Sequence, residues 1–414
     1  MAAEHRFDAA DRRWMRAALA LASRAVGRVA PNPAVAALIV RHGRLIARGV
    51  TAPGGRPHAE AIALEAAAAR GIDVAGATAY VTLEPCAHHG RTPPCAEALA
   101  VAGITRLVCP LEDPDPRVSG AGFARLAAAG VTIDVGLCAE QAAWVNAAFL
   151  SRIERGRPHL TLKLATTLDG RIATASGESR WITGAAARRK VHLMRARSDA
   201  VLVGAGTARA DDPMLDVRGF GAHAAQPVRV VVDPGLSLSL GGRLAQSARR
   251  IPVILAHRDD PGIAVSEHSK ALSALGVTLM PCPPAPSSAP TPSTIGGEPD
   301  ITHQQQTGNP PNSIDLEAVL AGLAQRGIGS VLCEGGAVLA SGLIAQSLVD
   351  RLVLFSAGKM IGAEGQPAVG SLALSTLAAA PQFHLVECER LGEDTVSIWE
   401  PKSRPGNQRA TGRG

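Results

Sequence analysis

His58, Glu60, Cys86 and Cys95 are the residues of this sequence best suited to chemistry. The triplet His58-Ala59-Glu60 is followed by Pro85-Cys86 and then by Cys95. Imidazole and thiolate are the ligands zinc prefers, and a catalytic zinc takes three protein ligands while its fourth position stays open. His58, Cys86 and Cys95 would supply those three. A metal held in this way lowers the pKa of a water molecule toward about 7, which suits hydrolytic attack on an amidine-like ring carbon. Glu60 follows His58 by two residues at the start of an expected helix, close enough to carry protons without ligating.

A His-x-Glu triplet followed by Pro-Cys-x-x-Cys is the signature of the zinc nucleobase deaminases. Here eight residues separate the two cysteines instead of two. That gap excludes a compact zinc knuckle but suits a catalytic site if Cys86 lies at a loop or helix start and Cys95 opens the next turn. The competing reading is a structural zinc, for which His88 or His89 would be the fourth ligand. A structural site has no use for Glu60.

The second half of the chain is less explicit. Gly204-Ala205-Gly206-Thr207 follows an apolar run but lacks the third glycine of the dinucleotide fingerprint. Glu334-Gly335-Gly336 precedes an expected helix, where small residues let a phosphate approach the helix N-terminus. Arg171, Arg180, Arg195 and Arg218 punctuate this half, and a guanidinium binds phosphate as a fork. Taken singly, each of these also reads as an ordinary strand-to-helix turn or a solvated arginine. Asp211-Asp212-Pro213 is a turn former, with Asp211 a possible helix cap.

The elements that must position these groups follow from apolar periodicity. An amphipathic helix is expected within residues 1–27, where Trp14, Met15, Ala18, Leu19 and Ala22 recur at helical spacing. Strands are expected over 34–40, 45–49, 77–83, 106–109 and 131–135, and helices over 58–69, 94–102 and 122–129. This alternation implies an α/β layered domain ending near Leu150. Gly156-Arg157-Pro158 marks a boundary. Beyond it, strands are expected over 160–165, 200–203, 228–232, 252–256 and 330–332, with helices over 185–197 and 337–345, so the second domain is also α/β. Residues 281–313, rich in Pro, Ser, Thr, Gly and Gln, are expected to be a disordered insertion, and 401–414 a disordered tail.

Composition bounds the partners. The chain has 414 residues, enough for two domains, and a net charge of +6. That mild basicity suits phosphorylated metabolites as well as nucleic acid. Aromatics make up only 3%, which argues against a base-stacking groove. Seven cysteines at irregular spacing read as a reducing compartment, and with no apolar run long enough to span a bilayer the expectation is a cytoplasmic protein without membrane contact.

Pro31-Asn32-Pro33, His58-Ala59-Glu60, Gly76-Ala77-Thr78, the run from Tyr80 to Cys86 and the run from Gly90 to Cys95 together resemble the bacterial bifunctional deaminase/reductase family of riboflavin biosynthesis. Asp113-Pro114-Asp115-Pro116 with Gly120 extends the resemblance, and the family's long inter-cysteine loop matches the spacing found here. In the second half, Lys163-Leu164-Ala165, the run from Leu168 to Ala173, Gly177-Glu178-Ser179, Trp181-Ile182-Thr183-Gly184, Gly206-Thr207, Asp211-Asp212-Pro213 and Glu334-Gly335-Gly336 are similar to the reductase half. The departures are Ala36-Ala37, where the family usually has a glycine, Thr166-Thr167, a loose match over 355–362 and the insertion.

The resemblance implies a cytidine-deaminase-like three-layer α/β domain over 8–152 and a dihydrofolate-reductase-like α/β domain over 158–400. It implies one Zn2+ in the first and NADPH in the second, acting on one phosphoribosylaminopyrimidine skeleton. The ring would be deaminated first, and the ribosyl group then reduced to ribityl. Carried over by position, Asn32 helps hold the pyrimidine. Ala165, Trp181, Thr207, Asp211 and the stretch Gly336, Ala337, Val338, Leu339, Ala340, Ser341 and Gly342 line the NADPH site. Ser179, Arg195, Leu215, Arg218 and Glu334 contact the substrate, and Lys163 and Asp211 are the candidates for proton handling. A homo-oligomer is implied as well. The alternative, a tRNA or nucleobase-editing deaminase with an accessory domain, calls for aromatic or basic RNA-binding patches that the sequence does not display.

Overall fold

The structure, a computed structural model, describes residues 7–88, 93–221, 225–286 and 313–402. It divides into two compact units: Met1–His159 with Ala324–Gly329, and Leu160–Leu323 with Ser330–Gly414.

The first unit runs α1 (Ala9–Ala22), β1 (Ala36–Arg41), β2 (Arg44–Val50), α2 (Ala59–Ala68), β3 (Thr78–Val81), α3 (Cys95–Val101), β4 (Arg106–Cys109), α4 (Ala121–Ala128), β5 (Thr132–Val135), α5 (Ala139–Val145) and α6 (Ala147–Arg155). Its sheet has the order β2-β1-β3-β4-β5, with β1 antiparallel to both neighbours and β3, β4 and β5 parallel. Side chains alternate across a strand, so one face carries Ala37, Ile39, Ala79, Val81, Leu107 and Cys109 and the other Ala36, Leu38, Val40, Tyr80 and Val108. Both faces are buried. The first packs on Ala59, Ala63, Ala96, Leu99 and Leu126 from α2, α3 and α4, and the second on Met15, Ala18, Leu19 and Ala142 from α1 and α5. Two buried faces explain why the strands read as continuous apolar runs, and the expected three layers are present.

Local chemistry starts α1. Asp8 accepts the Asp11 N–H, and the Asp11 carboxylate accepts the Asp8 N–H, a reciprocal cap. Asp11 also takes the Tyr80 hydroxyl at 2.7 Å and the Arg106 guanidinium at 2.8 and 2.9 Å, which ties α1 to β3 and β4.

The second unit contains β6 (His159–Thr167), β7 (Arg171–Ala173), α7 (Ala185–Ala196), β8 (Ala200–Gly204), α8 (Ala205–Asp211), β9 (Val228–Val232), α9 (Arg243–Gln246), β10 (Val253–Arg258), α10 (Pro261–Ala264), α11 (Glu267–Ala274), β11 (Val277–Cys282), α12 (Leu316–Gln325), β12 (Ser330–Cys333), α13 (Ala337–Ala345), β13 (Arg351–Ala357), β14 (Gln366–Pro367), β15 (Phe383–Leu391) and β16 (Asp394–Pro401). Nine strands form one sheet in the order β11-β10-β9-β8-β12-β6-β13-β16-β15. Its parallel strands β8, β9, β10 and β12 bury Val201, Val203, Val231, Val253, Leu255 and Leu332 against Leu244, Ala245 and Leu272.

Several expectations change here. Residues 205–211 form α8 instead of a glycine loop, and Asp211 is its last residue, not an N-cap. The expected insertion begins later, because Pro281 and Cys282 complete β11 beside β10, and Pro284 bridges Ile314. Residues 287–312 lie outside the described residues. Pro401 ends β16, and 403–414 likewise lie outside. The helices α5 and α6 and the strands β13, β15 and β16 carried no distinct signal in the sequence reading.

Candidate active site

His58 directly precedes α2, Glu60 is in its first turn, and Cys95 is the first residue of α3. Cys86 lies in the loop after β3. The His58 Nδ1 atom is 3.6 Å from Cys86 Sγ and 3.4 Å from Cys95 Sγ, and the Cys95 N–H donates to Cys86 Sγ at 3.3 Å. Among the described residues, these three are the group whose donor atoms converge to hold a metal, all within 4.8 Å of one another. One imidazole and two thiols, with no fourth protein donor among the described residues, fit a catalytic zinc better than a structural one. His88 does not join them. It lines the adjoining pocket with its Nδ1 buried and unpartnered, while His89 lies outside the described residues.

The three donors are linked by hydrogen bonds, so their proton affinities are set together. Hydrogen bonding from Cys95, aided by His58, lowers the Cys86 thiol to about 4. The shared hydrogen bond with Cys86, then burial, raises the Cys95 thiol, while the bond to Cys86 raises His58. Glu60 is 3% exposed, and burial pushes its carboxyl up to about 7. A carboxyl near neutrality can both accept and donate a proton.

His58, Glu60 and Cys86 open into one pocket, lined also by Asn32, Thr51, Arg56, Asp113, Asp115, Arg117, Phe149 and Arg152. Asn32 is packed against the Gly55 backbone, where a Cβ would stand 1.9 Å from its Nδ2 atom. Gly55 has φ +85°, so its lack of a side chain answers both the conformation and the space. Burial raises Asp113 to about 6, whereas hydrogen bonding from Arg117 holds Asp115 below its ordinary value. Arg56, Arg117, Phe149 and Arg152 were not singled out from the sequence. Arg152 lies more than a hundred positions from Asn32 in the chain, and no local pattern announces that proximity.

In the second unit, Lys163 and Ala165 lie on one face of β6, both half-buried. Glu334 follows β12 and Arg195 lies in the last turn of α7. They form a fork, Nε to Oε1 at 2.6 Å and Nη2 to Oε2 at 3.0 Å. Burial acts to raise the Glu334 carboxyl, but Arg195, with Lys163 nearby, holds it below the ordinary value. Burial lowers the Lys163 ammonium, Glu334 opposing and Arg195 adding to the shift. Arg195 Nη1 also donates to the Asp216 carbonyl at 3.0 Å, and Arg218 Nε lies 3.3 Å from the Asp216 carboxylate. Leu215, buried with φ +52°, sits within this segment.

Thr207 on α8 accepts the Gly336 N–H at 3.2 Å, which joins two residues expected near the cofactor. Gly336 starts α13, which covers Ala337, Val338, Leu339, Ala340, Ser341 and Gly342, and no side chain caps it. An uncapped helix start offers N–H groups to a pyrophosphate. Trp181 is 64% exposed, its ring under the Arg188 guanidinium at 4.5 Å. Ser179 is half-buried in the preceding turn. The structure does not bring Asp211 to Lys163 by any hydrogen bond among the described residues. Its side chain is exposed and its carbonyl accepts from Arg180 at 3.2 Å.

Asp169, within the run from Leu168 to Ala173, has a carboxylate that accepts the Ile361 and Gly362 N–H groups, the latter at 2.7 Å. Hydrogen bonding from Thr167, then from Gly362, lowers it to about 2.

Comparison with known proteins agrees with this division. Residues 158–397 match the RibD C-terminal domain family, and residues 8–111 match the cytidine and deoxycytidylate deaminase zinc-binding region. The chain is 36% identical to the riboflavin biosynthesis protein RibD of Escherichia coli, covering 93% of this chain and 97% of that one. It is 34% identical to RibD of Aquifex aeolicus over 94% of this chain and 98% of that one. The solved structure of Acinetobacter baumannii RibD superposes with a TM-score of 0.78 at 34% identity, covering 95% and 99% of the two chains. A Thermotoga maritima structure, described as a diaminohydroxyphosphoribosylaminopyrimidine deaminase/5-amino-6-(5-phosphoribosylamino)uracil reductase, does so with 0.77 at 33% identity, covering 94% and 98%. No helix among the described residues is long and apolar enough to cross a membrane. With a zinc-binding deaminase domain followed by a reductase domain along nearly its whole length, the chain belongs to the RibD family of bifunctional riboflavin biosynthesis enzymes.

Proposed function

We propose that the first domain hydrolytically deaminates 2,5-diamino-6-(5-phosphoribosylamino)pyrimidin-4-one and that the second reduces the ribosyl group of the product to ribityl. His58, Cys86 and Cys95 would hold zinc, which when bound makes water a nucleophile near neutral pH. Glu60 takes a proton from that water and delivers it to the departing amine, the role its buried, near-neutral carboxyl suits. Asn32, fixed on Gly55, orients the pyrimidine. The single observation that carries this reading is the three-donor triangle with the buried Glu60 carboxylate beside it.

In the second domain, NADPH supplies the hydride when bound. Thr207 and the Gly336 backbone support it at the start of α13, with Ala165 and Trp181 completing its site. Arg195, Glu334, Leu215, Arg218 and Ser179 take the phosphoribosyl substrate. Lys163 handles the proton at the ribose carbon that receives hydride, because its lowered ammonium pKa makes it a better donor. Asp211 at the end of α8 borders the cofactor, and its proton role is the weaker one because the carboxylate is not joined to Lys163. The substrates are small and anionic, the location is the cytoplasm, and the assembly is a homo-oligomer.

The test is an assay of the zinc-loaded protein with the diaminopyrimidine phosphate and NADPH, following ammonia and cofactor oxidation separately. Ammonia without NADPH, then NADPH oxidation only after deamination, is the expected order. Cofactor oxidation without deamination would overturn that order, and absence of ammonia would overturn the deaminase assignment.

A further inference from the structure

We propose that Arg152 and Arg56 form an anion subsite at the mouth of the deaminase pocket that binds the phosphate monoester of the substrate's ribosyl arm. This rests on the deaminase reading above and names the residues that make that site select a phosphorylated pyrimidine.

The pocket is graded in depth and charge. Glu60, 3% exposed, and Glu84, 4% exposed, lie at its floor with His58 and Cys86, where a neutral ring must reach. The Arg117 side chain is 74% exposed, Arg56 is exposed and Arg152 is half-buried, yet all three line the same pocket. An anion placed at Arg56 and Arg152 keeps part of its hydration, while the uncharged ring takes the buried end.

Among the lining carboxylates, Asp115 neutralises Arg117 and Asp113 accepts the Asp115 N–H, and none pairs with Arg56 or Arg152 among the described residues. Glu84 is occupied by backbone N–H groups of Asp113, Gly120, Gly122 and Phe123. Asp115 is occupied by Arg117, Nε to Oδ1 at 2.9 Å. Neither Arg56 nor Arg152 has a carboxylate within ion-pair distance among the described residues. Arg152 is nonetheless held in place: its Nη2 donates to the Pro31 carbonyl at 3.0 Å, and its guanidinium lies 5.9 Å from the Phe149 ring centroid. Its remaining N–H donors have no partner among the described residues, and a guanidinium matches two phosphate oxygens at once. A cation fixed by a carbonyl and a ring instead of a carboxylate is pre-organised for an anion that the protein does not itself provide.

The test compares deamination of the diaminopyrimidine phosphoribosyl substrate with that of its dephosphorylated riboside, using the zinc-loaded full chain. The R152A and R56A/R152A variants are measured beside the wild type, with zinc content and unfolding midpoint as folding controls. The wild-type preference for the phosphorylated substrate in kcat/KM should fall about tenfold or more in R152A, mostly through KM, and further in the double variant. R152K should recover part of it. Inorganic phosphate should inhibit the wild type competitively and the double variant weakly. An unchanged preference in folded, zinc-replete variants overturns the subsite alone. A wild type that deaminates neither pyrimidine overturns the deaminase reading and this subsite with it.

Discussion

The Oε1 atom of Glu84 accepts the backbone N–H of Gly122 at 2.8 Å, and Gly122 has no room for a side chain. A Cβ there would stand 2.0 Å from the Pro85 carbonyl oxygen and 3.0 Å from the Glu84 carboxylate. The same carboxylate accepts N–H groups from Asp113, Gly120 and Phe123. One buried side chain therefore ties the segment carrying Asp113, Asp115 and Arg117 to the loop that delivers Cys86. Glu84→Ala leaves these donors unsatisfied, at about 1–3 kcal/mol each before relaxation. Gly122→Ala overpacks against backbone, costing about 1–3 kcal/mol. Both variants should lower the unfolding midpoint and raise the deaminase KM while the reductase KM holds. Wild-type midpoint and KM in both would mean that the segment holds itself.

Glu60→Gln keeps shape and hydrogen bonding but removes the proton carrier. Ammonia release should fall roughly 10²- to 10⁴-fold. Elemental analysis should still find zinc at the wild-type level, because Glu60 lies outside the donor triangle. Loss of zinc together with activity would make Glu60 a ligand instead.

Cys86→Ser or Cys95→Ser removes one of three donors, and a strong chelator should act similarly on the wild type. Zinc content and ammonia release should fall together, while NADPH oxidation with the deaminated substrate persists. Parallel loss of both activities in a folded protein would show that the second domain also depends on the metal.

The Arg195–Glu334 fork is largely removed from water, its side chains being 12% and 9% exposed. Breaking such a pair from one side leaves a buried charge, so Glu334→Gln should destabilise the protein by roughly 3 kcal/mol or more. Glu334 has a lower pKa folded than unfolded. Its stabilisation is thus fully present above the ordinary carboxylate pKa and is lost as pH falls through the folded-state value. The unfolding midpoint of Glu334→Gln should therefore depend less on pH below about 4.5 than that of the wild type. Identical acid limbs would remove Glu334 as the origin.

Arg218→Ala should raise the reductase KM and leave ammonia release nearly intact. The Arg218 side chain is 69% exposed while that of its partner Asp216 is 18% exposed, so the pair is largely screened from the Arg218 side and the fold should lose about 1 kcal/mol. A parallel fall of both activities with unchanged folding would argue against independent sites.

The sequence by itself singled out the candidate metal donors and the carboxylate expected beside them. His58 and Glu60 share one helix start, and Cys86 and Cys95 flank one loop, so their relation is local and chemical. It also determined both α/β domains, because strands buried on two faces and helices with one apolar stripe imprint their periods on the chain. Tertiary structure alone decided that Arg152 on α6 reaches Pro31 and faces the pocket of Glu60, that Arg195 meets Glu334, and that Thr207 meets Gly336. Each of those contacts joins residues more than a hundred positions apart. Their closeness is set by which strands lie side by side in the sheet, a property of the folded chain that no short window of residues encodes.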